Sequence, residues 1–515
     1  MNKKYLVFFL IGYTLLFLLF FDGYRYVIDP DAIGYLRVAE QFAKGNIYDS
    51  INGIWSPLNS WILVPFLQLG FDGIVTQKYL NGIYGLISIT AFFYLIKNLR
   101  IATLVQIAII STATLLILYF TFALLFGDLL QVLFLLLYLN IVISKKFNGS
   151  YKQILLAAIV AGIGFYAKAY ILYFTLAHLP VAIFLTEKNQ IKNGVALQLV
   201  KKMLVAITVL LFTVSFWIIA LNIKYKNFIP AQKQITGTLS QQYNQPRVVF
   251  YAPPYKDASS IVDDISYFNQ KTITPFTNSK LFIYQLKLVR ANMIQLITVL
   301  NEFSFMLIII LIVACFLLKK VSQFDKQKIV LLFSFIILWC LGYLLFHVES
   351  RFLWIVPLCV LAVAGIIVTT FLNTSVINRK SIIIVTFLLA ASFCIYPIMG
   401  MKSDYGSDKK YFEIADALNK NNIQGNVLFS NQSNQEFSES IIINYLAKCR
   451  HFGPFVRDYT TEEILEGIST YNIDYFISYY STPYQKQLLL SSNLALSAGT
   501  IYKDIYPGII VFAFN

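Results

Sequence analysis

Long apolar segments recur along this 515-residue chain, and they constrain its fold more than any other feature. A helix needs about 20 mostly apolar residues to cross a lipid bilayer. The first segment lacks a small-residue cleavage site, so we interpret it as a retained signal-anchor. The predicted fold class is an α-helical polytopic membrane protein with about eleven transmembrane helices, near residues 5–21, 79–96, 102–120, 125–144, 153–168, 170–186, 203–222, 302–318, 328–346, 352–372 and 381–400.

Charged residues agree with this class. They make up only 13% of the chain, against about 25% in soluble proteins. The net charge of +15 does not indicate nucleic acid, because the basic residues lie in small clusters between apolar runs. With the predicted spans these clusters fall on one side, which the positive-inside rule makes cytoplasmic, as is the N-terminus. They are Lys3/Lys4, Lys97/Arg100, Lys145/Lys146, Lys188/Lys192/Lys201/Lys202, Lys319/Lys320 and Arg379/Lys380.

The opposite, extracytoplasmic side is predicted to hold three larger pieces. Two are outer loops, at 22–78 and 223–300, of a transmembrane domain that covers residues 1–400. The third is a small α/β domain over residues 401–515, with strands predicted at "NVLF", "DYFISYY" and "GIIVFAFN". Thr460 and Glu463 have capping-box spacing, which predicts a helix start at Thr460. Its sequence shows no phosphate loop, triad or metal spacing, so we expect it to cover the site or shape acceptor access.

Cysteine and histidine usage does not indicate a metal site or a disulfide framework. The five cysteines form no CxxC pair, and the chain has only three histidines. A protein-built zinc site is therefore not expected, and no metal ligands are predicted.

An Asp-Pro-Asp run follows the first apolar segment and supplies the candidate acids. Asp29 precedes Pro30, and this order favours a helix start with Asp29 as its N-cap. Asp29 is thus either a second acid or a helix cap. Asp31 lies in the first turn, where the helix dipole favours a carboxylate without requiring it as a cap. Tyr35 lies one turn later on the same face, so the two side chains can meet.

Four further ionisable residues are predicted near the outer ends of spans. Lys168 lies within a long apolar stretch, where charges are costly and tend to be functional, and snorkelling is the less favoured alternative. Asp128 is either a site residue or a first-turn acid. His347 and Arg351 are four residues apart, which predicts one shared helical face, whereas Glu349 is expected to point elsewhere.

These groups share a predicted depth at the outer membrane–water boundary, which suits one reaction class. The reactive bond of a sugar joined to a polyprenyl lipid by one phosphate lies at that depth. One carboxylate can take the proton of an acceptor hydroxyl. Fixed lysine and arginine charges can stabilise the departing lipid phosphate. Direct displacement inverts the anomeric carbon, and it needs neither a second catalytic carboxylate nor a cofactor; a divalent ion is not indicated.

At these residues the chain resembles the C-superfamily (GT-C) glycosyltransferases that use polyprenyl-phosphate sugars. The likeness is to family 39-like members, the clan of protein mannosyltransferases and aminoarabinose transferases. It rests on an ordered set of short motifs over most of residues 1–400: Asp31, Tyr35, Ala39 and Gly45; Ser56-Pro57-Leu58; Asp128; Gly164 and Lys168; Arg351-Phe352 and Pro357. The chain departs from the family in having Asp31-Ala32 where members often have Asp-Glu.

The resemblance implies roles for individual residues. Asp31 aligns with the catalytic acid, Lys168 and Arg351 align with donor-phosphate contacts, and Tyr35, Asp128 and His347 are site-lining candidates. The implied partners are a polyprenyl-phosphate-linked sugar, membrane lipids and a glycan, lipid or protein acceptor. The implied location is the bacterial cytoplasmic membrane.

Three alternatives stay open at this point. A flippase for lipid-linked sugars would place ionisable residues near the midplane and show repeats, neither of which the sequence indicates. An O-antigen ligase or glycan polymerase would use a diphosphate leaving group. A scaffold that lost activity would keep the fold.

Overall fold

The structure, a computed structural model, describes residues 3–148, 150–191, 196–226, 252–267, 274–319, 321–373, 378–430, 433–453 and 460–514. The chain divides into two compact units. The helical unit comprises Met1–Tyr24, Ile74–Leu239 and Thr272–Tyr405. The α/β unit comprises Arg25–Gly73, Ser240–Lys271 and Gly406–Asn515, so an early and a middle segment of the chain group with the C-terminal tail.

The helices of the described residues follow in chain order. The first ten are α1 Lys3–Tyr24, α2 Pro30–Ala43, α3 Ile47–Ser50, α4 Pro57–Gln68, α5 Gly73–Lys97, α6 Thr103–Ala123, α7 Asp128–Ile143, α8 Tyr151–Ala167, α9 Tyr170–Ile191 and α10 Ala196–Tyr225. Those after them are α11 Ser279–Phe303, α12 Leu307–Leu317, α13 Gln323–Tyr343, α14 Ile355–Asn373, α15 Arg379–Asp404, α16 Lys409–Lys420, α17 Asn434–Leu446, α18 Thr461–Tyr471, α19 Pro483–Leu490 and α20 Asn493–Ser497.

Membrane-spanning helices dominate the helical unit. Within the described ranges, eight helices are long and apolar enough to cross a bilayer, and α7 and α8 are shorter apolar helices. The span Ser350–Leu372 is the most enclosed, with 83% of its apolar window buried, whereas the windows in Leu197–Tyr225 and Ile383–Lys420 are only 28% buried. The polytopic membrane fold predicted from the sequence is confirmed, with α14 inside the bundle and α10 and α15 at its edge.

One predicted span has a different form in the structure. Residues 302–318 were expected to form one membrane span, but α12 has only 11 residues and meets α11 at a bend of 96°. The chain is extended at Ser304 (φ −172°, ψ 130°), which ends α11. Sequence analysis also placed α11 in an outer loop. It was missed because α11 is amphipathic, and the polar residues on one of its faces lower the mean hydropathy of its 25 residues.

A five-stranded sheet forms the C-terminal part of the α/β unit. Its strands are β1 Asn426–Phe429, β2 Arg450–His451, β3 Tyr475–Tyr479, β4 Thr500–Tyr506 and β5 Ile509–Ala513, in the order β2-β1-β3-β5-β4. β1 pairs in parallel with β2 and β3, while β5 runs antiparallel to both neighbours. Helices α16 to α20 lie between or before these strands in the chain, so the predicted α/β domain is confirmed.

The predicted helix signals in this unit are local and hold in the structure. Thr460 caps α18 in a complete capping box, in which its hydroxyl accepts from the Glu463 amide at 3.2 Å. The Glu463 carboxylate accepts from the Thr460 amide at 3.0 Å. This reciprocal pair satisfies two backbone donors that a helix start would otherwise leave open.

Candidate functional site

Helix α2 presents the Asp-Pro-Asp acids in the α/β unit. Asp29 is the N-cap, with its Oδ1 accepting from the Ala32 amide at 3.0 Å, and Pro30 begins the helix. Asp31 is therefore held in the first turn, where it is partly buried. Tyr35 is only 3% exposed, and its ring packs on Trp55 at a centroid distance of 5.1 Å. The cap fixes where the helix begins, and this sets the direction in which Asp31 projects.

A buried ionic cluster holds α2 within the α/β unit. Arg37 Nε donates to Asp263 Oδ2 at 2.9 Å, and a second guanidinium nitrogen contacts Glu40. The Tyr445 hydroxyl, on α17, donates to Glu40 Oε1 at 2.6 Å. Burial disfavours the Arg37 charge, but Asp263 and Glu40 overcome this and raise the pKa of Arg37 above its ordinary value.

Sequence analysis missed this cluster. Arg37 and Asp263 are 226 positions apart, and no local pattern reports a contact over that separation. The available signal was an arginine among the largely apolar residues of α2, and in the structure its side chain is only 10% exposed. The cluster joins α2, the segment 252–267 and α17, so it holds the acid-bearing helix in a fixed orientation.

Asp128 and Lys168 meet inside the helical unit. Lys168 Nζ lies 2.9 Å from Asp128 Oδ1, and the aspartate side chain is 2% exposed. Gly127 adopts a left-handed backbone (φ 76°) before α7 and places Asp128 as its first residue, while Lys168 is the C-cap of α8. A carboxylate at a helix start and a cation at a helix end are each favoured by the helix dipole. The two helix ends therefore stabilise the charges that pair between them.

The ring of Phe352 joins Lys168 to Arg351. Lys168 Nζ lies 5.3 Å from the ring centroid, and the Arg351 guanidinium carbon lies 5.1 Å from the same centroid. Cations within about 6 Å of an aromatic face are attracted by its quadrupole. The structure thus brings together the two cations that sequence analysis assigned to a phosphate.

His347 and Arg351 are linked by Glu349 rather than by a shared helical face. The expectation of one helix was wrong, because α13 ends at Tyr343 and the backbone is extended at Glu349 (φ −125°, ψ 153°). The expectation that Glu349 points elsewhere was also wrong. Its carboxylate pairs with Arg351 and lies 3.2 Å from His347 Nε2. Along extended backbone, side chains two residues apart lie on the same side of the chain. The Glu349 carboxylate can therefore reach both His347 and Arg351.

This pairing shifts the titration of both partners. The hydrogen bond to Glu349 raises the pKa of His347, although partial burial opposes the shift. Burial alone would raise the pKa of Glu349, but the His347 hydrogen bond and the Arg351 charge lower it to about 2. Glu349 is therefore a carboxylate throughout the physiological range.

A polar cavity of about 430 Å³ adjoins these residues in the helical unit. Its lining includes Glu302, His347, Glu349 and Arg351, together with Gln295 from α11. Its volume is within the range of small-ligand sites, about 300–1,000 Å³. The cavity can take a polar group of about the size of a sugar ring.

The predicted site residues thus fall in two groups. Asp29, Asp31 and Tyr35 belong to the α/β unit, whereas Asp128, Lys168, His347 and Arg351 belong to the helical unit. Across the described ranges, no three His, Cys, Asp or Glu residues lie close enough to hold a metal ion. The roles assigned to these residues, and the prediction that no metal is needed, stay predictions.

Comparison with solved structures shows that the fold of this chain is similar to that of ArnT. One similar structure is the crystal structure of ArnT from Cupriavidus metallidurans bound to undecaprenyl phosphate, with a TM-score of 0.53 and 10% sequence identity, covering 100% of this chain and 98% of that one. The apo ArnT structure from the same organism gives a TM-score of 0.48 at 10% identity, with 98% of both chains covered. No protein-family model matches the sequence, and no curated protein matches it either.

Proposed function

We propose that this protein is an inverting glycosyltransferase that moves a sugar from a polyprenyl-phosphate donor to an acceptor hydroxyl. The observation that carries the proposal is the pair of cations, Lys168 and Arg351, which lie 5.3 Å and 5.1 Å from the centroid of the same Phe352 ring. Full-length similarity in fold to ArnT, a protein solved with undecaprenyl phosphate, supports the class of donor.

Asp31 is proposed as the general base. The acceptor oxygen attacks the anomeric carbon while its proton passes to the Asp31 carboxylate. The bond between the anomeric carbon and the phosphate oxygen breaks, and its electron pair leaves with the polyprenyl phosphate. A positioned base contributes about 10²–10⁴-fold to such a step.

Lys168 and Arg351 are proposed to stabilise the leaving phosphate. Charge accumulates on the phosphate oxygens as the bond breaks, so fixed cations there favour the transition state over the ground state. The Asp128 carboxylate at 2.9 Å holds the Lys168 ammonium in place before the donor arrives. Tyr35 and His347 are proposed as site-lining residues.

The reaction is proposed for the outer face of a bacterial cytoplasmic membrane. The basic clusters between the spans support a cytoplasmic N-terminus, which places the C-terminal domain outside the cytoplasm. The acceptor in this proposal is a lipid, glycan or protein of the cell envelope.

Mass spectrometry of a deletion strain tests the proposed function. The deletion should leave one envelope glycan, lipid or protein without a sugar and cause its polyprenyl-phosphate sugar to accumulate. Purified protein in liposomes should release polyprenyl phosphate when the missing acceptor is supplied. Movement of the labelled donor across the bilayer without release of polyprenyl phosphate would instead identify a flippase and overturn the proposal.

A further inference from the structure

The order of the parallel strands creates a crevice in the C-terminal sheet. The chain leaves β1 for β2 on one side, then crosses to β3 on the other side of β1. In open α/β sheets, the helices that follow two such strands leave in opposite directions, and ligands bind outside the carboxyl ends at this switch point. Here the crevice lies where β1 ends before Ser430 and β3 ends before Tyr480.

A cavity of about 420 Å³ occupies this position. Its apolar part includes Phe476, Ile464 and Leu489. Hydroxyl and amide side chains supply most of the polar lining, among them Ser430, Thr461, Ser478, Ser481, Gln485 and Ser492. Hydroxyls and amides both donate and accept hydrogen bonds, which suits a ligand whose own groups do the same.

The charge of the lining argues against an anionic ligand. Among the described residues that line the cavity there is no Lys, Arg or His, and Glu436 is the single carboxylate. The helices that begin at this edge also use their own caps: Ser433, Thr460 and Thr482 accept from the first turns of α17, α18 and α19. A phosphate or a sugar acid would therefore find no cation in this lining, and the caps already occupy one amide at each of the three helix starts.

We propose that this cavity binds an uncharged oligosaccharide. A sugar ring offers hydroxyls at its edge and C–H groups on its faces, which matches the polar lining and the apolar floor. The cavity volume lies in the lower part of the range of small-ligand pockets, about 300–1,000 Å³, which suits one or two sugar rings. That the bound glycan is the acceptor of transfer rests on the proposed function, whereas binding itself does not.

Binding is measured with the full-length protein in lipid nanodiscs and without any donor lipid. The probes are cellotetraose, maltotetraose and chitotetraose, with tetragalacturonate and inorganic phosphate as anionic controls. Saturation-transfer NMR followed by titration should show saturable binding of at least one neutral tetrasaccharide and of neither anion. Because no donor is present, an inactive transferase would leave this result unchanged.

Two substitutions in the lining test whether the oligosaccharide binds in this cavity. Ser478 lines the cavity and is 2% exposed, so the larger side chain of Ser478→Leu has no other space to occupy. The substitution should weaken binding at least about tenfold. Thr461→Val preserves shape and removes one hydroxyl, which should weaken binding about fivefold. Thr500→Val makes the same change on exposed β4, outside the lining, and should bind as the unmodified protein does.

Three results would overturn the proposal. One is the failure of all three neutral tetrasaccharides to bind. Another is equal or tighter binding of the anions. The third is unchanged affinity in Thr461→Val, whose isosteric replacement keeps the domain folded even where Ser478→Leu does not.

Discussion

Lys168 and Asp128 form a salt bridge of 2.9 Å between the end of α8 and the start of α7, the helix that precedes it. The aspartate is almost fully buried, while the lysine side chain is 20% exposed and also lies over Phe352. A lysine held in this way keeps its ammonium in one place, whereas an unpaired lysine would move toward water. This one salt bridge gives each of two charges in an apolar helix bundle an oppositely charged partner.

Removing the carboxylate should weaken donor binding. Asp128→Asn leaves Lys168 without its ionic partner, which should cost about 1.5–3 kcal/mol of folding free energy. With its ammonium less fixed, the KM for the donor should rise more than kcat falls. Glu187→Gln is the matched control, since Lys202 and Glu187 form another buried pair at 2.6 Å. That control should lose similar stability with the KM unchanged, and an unchanged KM in Asp128→Asn would contradict the role of the pair.

Glu349 should control the charge of His347. The carboxylate raises the pKa of His347, so the pairing stabilises the fold below the ordinary histidine pKa of 6.5 and this contribution is lost as pH rises through the folded-state value. In Glu349→Gln the His347 pKa should fall toward 6.5 or below, because burial and the nearby Arg351 charge both lower it and no carboxylate opposes them. With only three histidines in the chain, NMR titration of labelled imidazoles can follow it. An identical titration in both proteins would show that the pair does not form.

The Arg37 cluster should be the main constraint on helix α2. Arg37→Leu leaves Asp263, with 0% side-chain exposure, as a buried carboxylate without its cation, which should cost about 3–5 kcal/mol. Tyr445→Phe removes one hydrogen bond to Glu40 and should cost about 1–2 kcal/mol. Hydrogen exchange of the α2 amides in the full-length protein measures the loss of stability in each variant. Equal protection of α2 in Arg37→Leu and the unmodified protein would exclude this role.

Acid should destabilise the sheet through His451. This side chain is fully buried on β2, and burial lowers its pKa from 6.5 to about 3. The unfolded chain binds a proton below pH 6.5 and the folded one does not, so stability is complete above that pH and falls as pH drops toward 3. The slope is about 1.4 kcal/mol per pH unit for one group.

The His451 effect is measurable between pH 6.5 and 5, above the range in which most carboxylates titrate. Exchange protection of the β1 and β3 amides should decline over this interval. In His451→Phe the decline should disappear. A decline of the same size in that variant would assign it to other groups.

Local sequence signals predicted a large part of the structure. The apolar runs located the spans because length and hydropathy are properties of a single segment. Asp29-Pro30 predicted the start of α2, and Thr460 with Glu463 predicted the start of α18, because caps are formed by residues three apart. In each case the stabilising contact lies within one turn of the chain.

Contacts between distant residues were not predictable from the same signals. Asp128 and Lys168 were each singled out, but nothing in the sequence paired them across 40 positions. The helical spacing of His347 and Arg351 was misleading, because the helix had already ended at Tyr343. These errors arise where tertiary packing, rather than periodicity, decides which side chains meet.

The most direct test of the proposed mechanism compares Asp31→Asn with Asp29→Asn in a transfer assay with purified, membrane-inserted protein. Asp31→Asn should lower the rate of sugar transfer by about 10²–10⁴-fold, since it removes the base without changing shape. Asp29→Asn should cost at most about 1 kcal/mol of stability, because asparagine also caps helices, and it should retain most activity. Normal transfer by Asp31→Asn, or its loss only in Asp29→Asn, would contradict the assignment of Asp31 as the base.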